Sequence, residues 1–158
     1  MLDSLKFSPT FSQILSDNVV LDLKFLGRQC SLPISNSPSD TRCGEDLFST
    51  LVANGIIPFY TKRHKQEQLF EVVNRLKYYT SDFVYMLDID EKTMITSQLL
   101  IEMGIQSFLI RSAYGFNKTI MSTLNMLKDH NCSVVVGDVY THEAFKQLSQ
   151  AGADSIII

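Results

Sequence analysis

The sequence predicts an α/β fold in which helices cover a parallel β-sheet. From residue 31 onward, short apolar runs alternate with longer segments whose apolar residues recur at helical spacing. The short runs are continuous stretches of Val, Ile, Leu and Phe, which is the pattern of strands that are buried on both faces. Strands of this kind, separated by helices, form parallel sheets with right-handed crossovers.

Each apolar run predicts a strand, and each amphipathic segment between two runs predicts a helix. The second helix, for example, places Leu69, Val72 and Leu76 on one face and charged residues opposite. A glycine or an Asn-Gly pair follows most of the helical segments, as is common after helix C-termini. In chain order the elements are strand 32–35, helix 44–53, strand 56–60, helix 64–79, strand 83–89, helix 91–103, strand 107–112, helix 117–128, strand 133–136, helix 142–150 and strand 155–158.

Two architectures fit this order of elements. Residues 1–30 do not join the alternation and are predicted to form an N-terminal arm or hairpin, which leaves residues 31–158 as the α/β domain. About five and a half strand-helix units could belong to an open doubly wound sheet or to a (β/α)8 barrel that is cut short. A barrel would keep its strands in chain order with all helices on one face, whereas a doubly wound sheet would not.

Charge and composition exclude several classes of function. The chain of 158 residues has a formal net charge of −3 and a pI near 5.5, so it lacks a basic surface for nucleic acid. No apolar run approaches the roughly 18 residues of a membrane span, and the N-terminus does not resemble a secretory signal. Cys30, Cys43 and Cys132 are widely spaced and show no metal-binding pattern. We expect a cytoplasmic protein with free thiols, no metal, and neither nucleic acid nor membrane as a partner.

Polar side chains follow most of the predicted strands, at the edge where α/β folds bind ligands. Asp88 and Asp90 follow the third strand, and Asp90 is also well placed to cap the next helix. The basic cluster at residues 62–65 opens the second helix, and it either binds an anion such as phosphate or forms a solvated loop. A phospho-acceptor role for Asp88 is disfavoured because no acidic pair follows the first strand. No GxGxxG, Walker or GxSxG motif occurs.

Four segments resemble, in the same order, segments of the IMP dehydrogenase and GMP reductase family. They are LPISNSPSDT (32–41), similar to IPIVSSPMDT; GIIPFYTKRHKQEQLFEVV (55–73), similar to GGLGIIHKNMSIEEQAEEV; EMGIQSFLIRSAYGF (102–116), similar to EAGVDVIVIDTAHGH; and VVVGDVYTHEAFKQLSQAGADSIII (134–158), similar to VIGGNVVTAEAAKxLxxAGADxxxVG. Their matching order and spacing extend the resemblance over most of the chain.

The resemblance implies both a fold and a reaction. The family fold is the TIM-type (β/α)8 barrel, so the chain would be a barrel truncated after about five and a half strand-helix units. The family oxidises IMP to XMP with NAD, or reduces GMP with NADPH, in purine nucleotide metabolism and GMP biosynthesis. Residues 78–82 join the second helix directly to the third strand, where many of the dehydrogenases carry a regulatory insert. Thr61 takes the position of a lysine near the purine in GMP reductases, which favours IMP.

The resemblance also implies where ligands bind. Ser37 and Ser39 fall at the strand end that touches the purine nucleotide. Arg111 takes the place of the aspartate that holds the cofactor ribose. Because ribose hydroxyls need an acceptor there and arginine cannot accept a hydrogen bond, we expect weakened NAD(P) binding. The residues at the positions of the cofactor contacts are Arg111, Ser112, Ala113, Gly137 and Asp138.

The catalytic loop of the family follows the last predicted strand. That glycine-rich loop carries the catalytic cysteine and the ligands of a monovalent cation. The sequence reaches Ile158 before any match to it, and Cys30, Cys43 and Cys132 do not correspond to the catalytic cysteine. We therefore expect the chain to be inactive alone and to lack the family's cation site.

Two other functions stay open at this point. A non-catalytic module derived from the same barrel would bind a purine nucleotide or another protein through the loops at residues 37–41 and 61–65. A free-standing doubly wound domain would resemble the family only by coincidence. In the barrel hypothesis, exposed strand edges predict self-association, or pairing with a full-length relative or a complementary fragment.

Overall fold

A computed structural model describes residues 19–37, 44–61, 64–112 and 116–158. Its elements confirm the predicted alternation, with small shifts of their ends. In chain order they are β1 (Leu23–Phe25), β2 (Arg28–Cys30), α1 (Glu45–Ala53), β3 (Phe59–Tyr60), α2 (Gln66–Tyr79), β4 (Val84–Leu87), α3 (Thr93–Glu102), β5 (Ser107–Arg111), α4 (Lys118–Asp129), β6 (Ser133–Gly137), α5 (His142–Gln150) and β7 (Ser155–Ile156).

The five strands β3 to β7 form one sheet in chain order. Every neighbouring pair is parallel, with Leu109 of β5 opposite Val135 of β6 and Arg111 opposite Gly137. A doubly wound sheet would place its strands out of chain order, so this order excludes the doubly wound alternative. The order is that of a partial TIM-type barrel, and the described strands do not close into a ring.

All five helices pack on the same face of the sheet. Alternate strand residues, such as Phe108, Ile110, Val134 and Val136, form one buried cluster with side chains from every helix, because successive strand residues point to opposite faces. The helix residues of this cluster include Phe48, Leu69, Val72, Val73, Leu76, Leu100, Ile120, Leu124, Leu127, Ala144 and Leu148. None of the helices in the described ranges is both long and apolar enough to cross a membrane.

The opposite face carries a smaller apolar cluster that the β1–β2 hairpin covers. Phe25 of the hairpin lies with its ring centroid 6.1 Å from that of Phe59, in a cluster that includes Leu109 and Val135. Leu26 and Gly27 both have positive φ angles, 50° and 77°, which is the conformation of a tight two-residue hairpin turn. The hairpin therefore closes one end of the sheet's inner face.

The strand predicted at residues 32–35 is wrong. The segment 31–37 has no regular strand pairing, and two of its side chains link it to β3 and to the residues just before β3. Ser35 Oγ donates to Ile57 O at 2.7 Å, and Asn36 both donates to Phe59 O and accepts from Phe59 N at 2.8 Å. Pro33 has no N–H to donate to a backbone ladder, so polar side chains replace part of the pairing.

Asp154 fastens the approach to β7 onto the start of β6. Its Oδ2 accepts hydrogen bonds from Val134 N at 2.7 Å and from Lys128 Nζ at 2.8 Å, and its own N–H donates to Val134 O at 2.9 Å. Lys128 Nζ also donates to Cys132 O at 3.0 Å. One carboxylate thus joins α4, β6 and the loop before β7.

We expect Asp154→Ala to lower the free energy of unfolding by about 1–3 kcal/mol, because charge-assisted hydrogen bonds to Val134 and Lys128 are lost. Urea denaturation of the chain measures this change. Asp129→Ala is the matched control, since Asp129 is exposed at the end of α4 and should change stability by less than about 0.5 kcal/mol. Equal effects of the two substitutions would contradict the role given to Asp154.

Candidate functional site

The ends of β5 and β6 bring together four of the residues selected from the sequence. Arg111 ends β5, and Gly137 ends β6 directly opposite it. Ser112 N donates to Gly137 O at 2.9 Å, and Asp138 N donates to Ser112 O at 3.2 Å. The two strand ends therefore continue as a hydrogen-bonded pair beyond the regular ladder, at the edge where parallel sheets bind ligands.

Arg111 and Asp138 form an ion pair through two separate hydrogen bonds. Arg111 Nε donates to Asp138 Oδ1 at 3.2 Å and Nη2 donates to Oδ2 at 3.1 Å. The side chains are only 35% and 21% exposed, so water screens the pair less than it would on an open surface. The guanidinium and the carboxylate therefore neutralise each other at the strand ends.

This pairing was missed by sequence reasoning, although a signal was present. The family pattern has an acidic residue where Arg111 stands and a neutral residue where Asp138 stands. The two changes alter charge in opposite directions at adjacent strand ends, and opposite charges at adjacent positions can pair. Because the two residues lie 27 positions apart, on different strands, the sequence alone does not show that they meet.

Gly137 occupies a position where a side chain would collide with the neighbouring strand. A Cβ atom on residue 137 would lie 2.6 Å from Ile157 Cβ, closer than two carbon atoms approach without repulsion. Ile157 N donates to Val136 O, and Val139 N donates to Ile157 O, both at 2.9 Å. Close packing of the two backbone segments, at residues 137 and 157, therefore explains why residue 137 is glycine.

The remaining predicted ligand contacts lie apart from this pair or outside the described residues. Ser37 is exposed at the end of the segment beside β3, and the strands β3 and β4 separate it from β5. Ser39 and Ala113 lie outside the described residues. Asn36, which the sequence analysis did not select, holds Ser37 in place through its two bonds to Phe59.

A second polar site lies between the start of α2 and the start of α3, on the helix side of β4. This hollow has a volume of about 360 Å³ and is called the α2–α3 cavity. The sequence analysis had noted several of its residues in separate loops, but not their proximity. Its polar and charged lining residues include His64, Lys65, Tyr85, Asp88, Asp90 and Lys92.

His64 and Tyr85 shape the wall of the α2–α3 cavity. Tyr60 Oη and His64 Nε2 are 2.7 Å apart, and their rings are nearly parallel, at 5°, which holds His64 in one orientation. Tyr85 is 4% exposed. Burial, followed by the nearby Tyr60 and Asp88, raises the pKa of Tyr85 well above its usual value. The Tyr85 hydroxyl is therefore neutral at physiological pH.

Asp90 shapes the same cavity by organising the start of α3. Its Oδ1 accepts a hydrogen bond from Lys92 N at 2.8 Å, and its N–H donates to Thr93 Oγ1 at 2.7 Å. The prediction that Asp90 caps the helix is wrong, because the N-cap of α3 is Lys92 and has no side-chain cap bond; Asp90 instead orders the turn that precedes the helix. Its carboxylate is thus committed to the protein's own backbone.

The two cysteines in the described residues are poorly placed for nucleophilic chemistry. Cys30 and Cys132 are free and buried, and Cys43 lies outside the described residues. Burial raises the pKa of the Cys132 thiol, although nearby Lys128 partly offsets this effect. Because the thiolate is the reactive form, Cys132 is suited to packing rather than to attack.

Comparison with known proteins relates the chain to one family. A family model described as IMP dehydrogenase / GMP reductase domain matches residues 2–158. Among curated proteins, the inosine-5'-monophosphate dehydrogenase of Cryptosporidium parvum is 41% identical over 61 residues, which are 38% of this chain and 15% of that protein. The enzyme of the same name from Staphylococcus epidermidis strain RP62A is 35% identical over 66 residues, 40% of this chain and 14% of that protein. The aligned stretches thus span a small part of each relative.

We expect Arg111 and Asp138 to be energetically coupled by about 1–2 kcal/mol, because their partly buried charges satisfy each other. A double-mutant cycle with Arg111→Met and Asp138→Asn, followed by urea denaturation, measures the coupling. The control is a cycle with Arg75→Met and Glu45→Gln. These two residues form an ion pair at 2.7 Å, and their side chains are 44% and 39% exposed. Their coupling energy should stay below about 0.5 kcal/mol. Similar couplings in the two cycles would contradict the inference.

We expect the chain to lose stability as the pH rises above about 10, the ordinary pKa of tyrosine. Tyr85 keeps its proton in the folded state but releases it in the unfolded state, so alkali favours unfolding. Urea denaturation between pH 9 and about pH 11 should show that Tyr85→Phe reduces this loss by about 1 kcal/mol. Tyr78→Phe, at an exposed position, should leave the loss unchanged. If both variants follow the parent chain, Tyr85 does not titrate as described.

Proposed function

Because the chain belongs to the IMP dehydrogenase / GMP reductase family, we propose that it is a purine-nucleotide-binding relative of the enzymes that oxidise IMP to XMP with NAD, and that it is inactive by itself. The family match extends over residues 2–158, and it is the observation on which the proposal depends. The curated relatives with aligned segments are inosine-5'-monophosphate dehydrogenases by name, which favours IMP over GMP. The process would be purine nucleotide metabolism.

The sheet supports the barrel part of this proposal. Five parallel strands in chain order, with helices on one face only, are what an arc of a (β/α)8 barrel would contain. Residues 31–158 would form about five and a half of its units, and residues 1–30 would form an arm whose hairpin covers one end of the interior. In such barrels, substrates bind at the C-terminal ends of the strands.

We assign Ser37 and Ser39 to the purine nucleotide. Ser37 is exposed at the edge of the sheet beside β3, so its hydroxyl can reach a ligand. The Asn36 side chain anchors this position through hydrogen bonds to both backbone groups of Phe59, which limits its movement. A positioned hydroxyl contributes to orientation of a bound nucleotide.

The ends of β5 and β6 do not fit the ribose of a nicotinamide cofactor. A ribose diol needs an acceptor, and the guanidinium of Arg111 is only a donor. The nearby acceptor, Asp138, is already held by two hydrogen bonds from Arg111, and the backbone groups of Ser112 pair with β6. We therefore infer that NAD(P) binds poorly through Arg111, Ser112, Ala113, Gly137 and Asp138.

We also propose that residues 1–158 do not turn over IMP by themselves. Both cysteines in the described part of the chain are buried, and the residues at the cofactor positions do not accept a ribose. The family's cysteine chemistry requires an exposed thiolate that can attack the purine. The chain would therefore bind the nucleotide without turning it over.

A second candidate function is a non-catalytic interaction module. An apolar hollow of about 270 Å³ lies on the inner face of the sheet, lined by Phe25, Pro33, Phe59, Val135 and Ile157 among others. β7 has a paired neighbour on one side only. An apolar hollow beside an unpaired strand edge favours association with another polypeptide, either a second copy, a full-length relative or a complementary fragment.

A titration calorimetry experiment with IMP and with NAD, combined with an absorbance assay for NADH, separates these functions. We expect the chain to bind IMP, to bind NAD weakly or not at all, and to form no NADH. Arg111→Asp combined with Asp138→Asn restores an acceptor and should strengthen NAD binding by about tenfold. The matched control is Arg75→Asp combined with Glu45→Asn, which alters an exposed pair elsewhere and should leave NAD binding unchanged.

Each of the other possible results would contradict a different part of the proposal. NADH formation by the unmodified chain would disprove the proposed inactivity. Tight NAD binding by the unmodified chain would disprove the role given to Arg111 and Asp138. Absence of IMP binding would reject the nucleotide function and leave the interaction module, whose test is the oligomeric state measured by analytical ultracentrifugation.

A further inference from the structure

We propose that the α2–α3 cavity binds a small hydroxylated phosphate monoester, such as a sugar phosphate. The cavity lies on the helix side of the sheet, where Tyr85 and Leu87 belong to the main helix-packed cluster. Arg111 alternates with Ile110 of that cluster, so its side chain leaves β5 toward the other face. Neither Ser37 nor Arg111 lines the cavity, and this inference does not depend on the proposed function.

The starts of two helices converge on this cavity, and a lysine is the N-cap residue of each. Lys65 is the N-cap of the 14-residue helix α2, and Lys92 is the N-cap of the 10-residue helix α3. Both lysines line the cavity. A helix N-terminus carries partial positive charge and free N–H groups, so a lysine there is unfavourable unless an anion is present. A phosphate bound between the two helices would offset both lysines and both helix ends.

The buried hydroxyl of Tyr85 independently indicates a ligand. Tyr85 is 4% exposed and lines the cavity, yet its hydroxyl has no hydrogen-bond partner within the part of the chain that the structure describes. Among the described residues, every polar side-chain atom that is fully enclosed has a hydrogen-bond partner. The Tyr85 hydroxyl has none, so it is not fully enclosed and faces the cavity. A buried hydroxyl without a partner is costly. Because it stays neutral, it can donate to a phosphate oxygen.

The carboxylates of the cavity narrow the class of ligand. The Asp90 carboxylate accepts a hydrogen bond from the backbone N–H of Lys92. Asp88 also lines the cavity and interacts with other residues of the chain. Glu67, on the first turn of α2, is exposed. Three carboxylates disfavour polyphosphates by repulsion, whereas a carboxylate accepts hydrogen bonds from sugar hydroxyls. A volume of about 360 Å³ suits a ligand of that size.

The test is isothermal titration calorimetry of the chain with ribose 5-phosphate, inorganic phosphate and pyrophosphate at constant ionic strength. We expect ribose 5-phosphate to bind most tightly. Lys65→Gln and Lys92→Gln should each weaken its binding by about fivefold to tenfold, and Tyr85→Phe by about tenfold, because each removes one donor to the phosphate. Circular dichroism of each variant establishes that it is folded.

Two matched control variants test whether a loss of affinity comes from the cavity itself. They remove a positive charge or a tyrosine hydroxyl elsewhere in the chain. Lys118→Gln removes a lysine from the start of α4, outside the cavity, and Tyr78→Phe removes an exposed hydroxyl. Both should leave the affinity within about twofold of the parent chain.

Several results would overturn the proposal. They are the absence of binding by all three probes, an equal loss in Lys118→Gln, tighter binding of pyrophosphate than of ribose 5-phosphate, and full binding by Tyr85→Phe. Binding that Arg111→Met abolishes and that Lys65→Gln and Lys92→Gln leave intact would place the phosphate at the strand ends instead of the cavity.

Discussion

The pairing of β5 with both of its neighbours is the constraint on which the rest of the structure depends. All five of its residues pair with β6, and three of them also pair with β4. Phe108 and Ile110 face the helices, whereas Leu109 faces the inner cluster with Val135. A shift of this register by one residue would exchange the two faces. Helix packing, hairpin packing and the strand-end site would then be lost together.

The same register explains how the strand ends of this chain differ from the family pattern without becoming unstable. Since Arg111 lies opposite Gly137, Asp138 is the next residue within reach of its guanidinium. An isolated arginine at this position would be a partly buried charge without a partner. The ion pair therefore satisfies both charges at the strand ends. In the proposed function, it also engages the acceptor nearest to a cofactor ribose. In our proposal that the chain binds a purine nucleotide but recognises the cofactor poorly, the weak recognition rests on this pair.

The two faces of the sheet are suited to different ligands. On the inner face, apolar side chains and an unpaired strand edge favour contact with polypeptide. On the helix side, lysines and carboxylates at the starts of α2 and α3 lie around the same cavity as Tyr85 of β4. Strand alternation separates the two environments, because neighbouring residues of one strand face opposite directions. Ligand binding on one face need not disturb the other.

The sequence by itself determined the local elements and the family, since apolar periodicity and helix-ending glycines depend on neighbouring residues along the chain. It failed at residues 32–35, where the apolar run contains Pro33 and the Ser35 and Asn36 side chains replace strand pairing. Only the tertiary structure decided that Arg111 meets Asp138 and that Lys65, Tyr85 and Lys92 surround one cavity. These residues are far apart along the chain, and no periodicity states which strands and helices become neighbours.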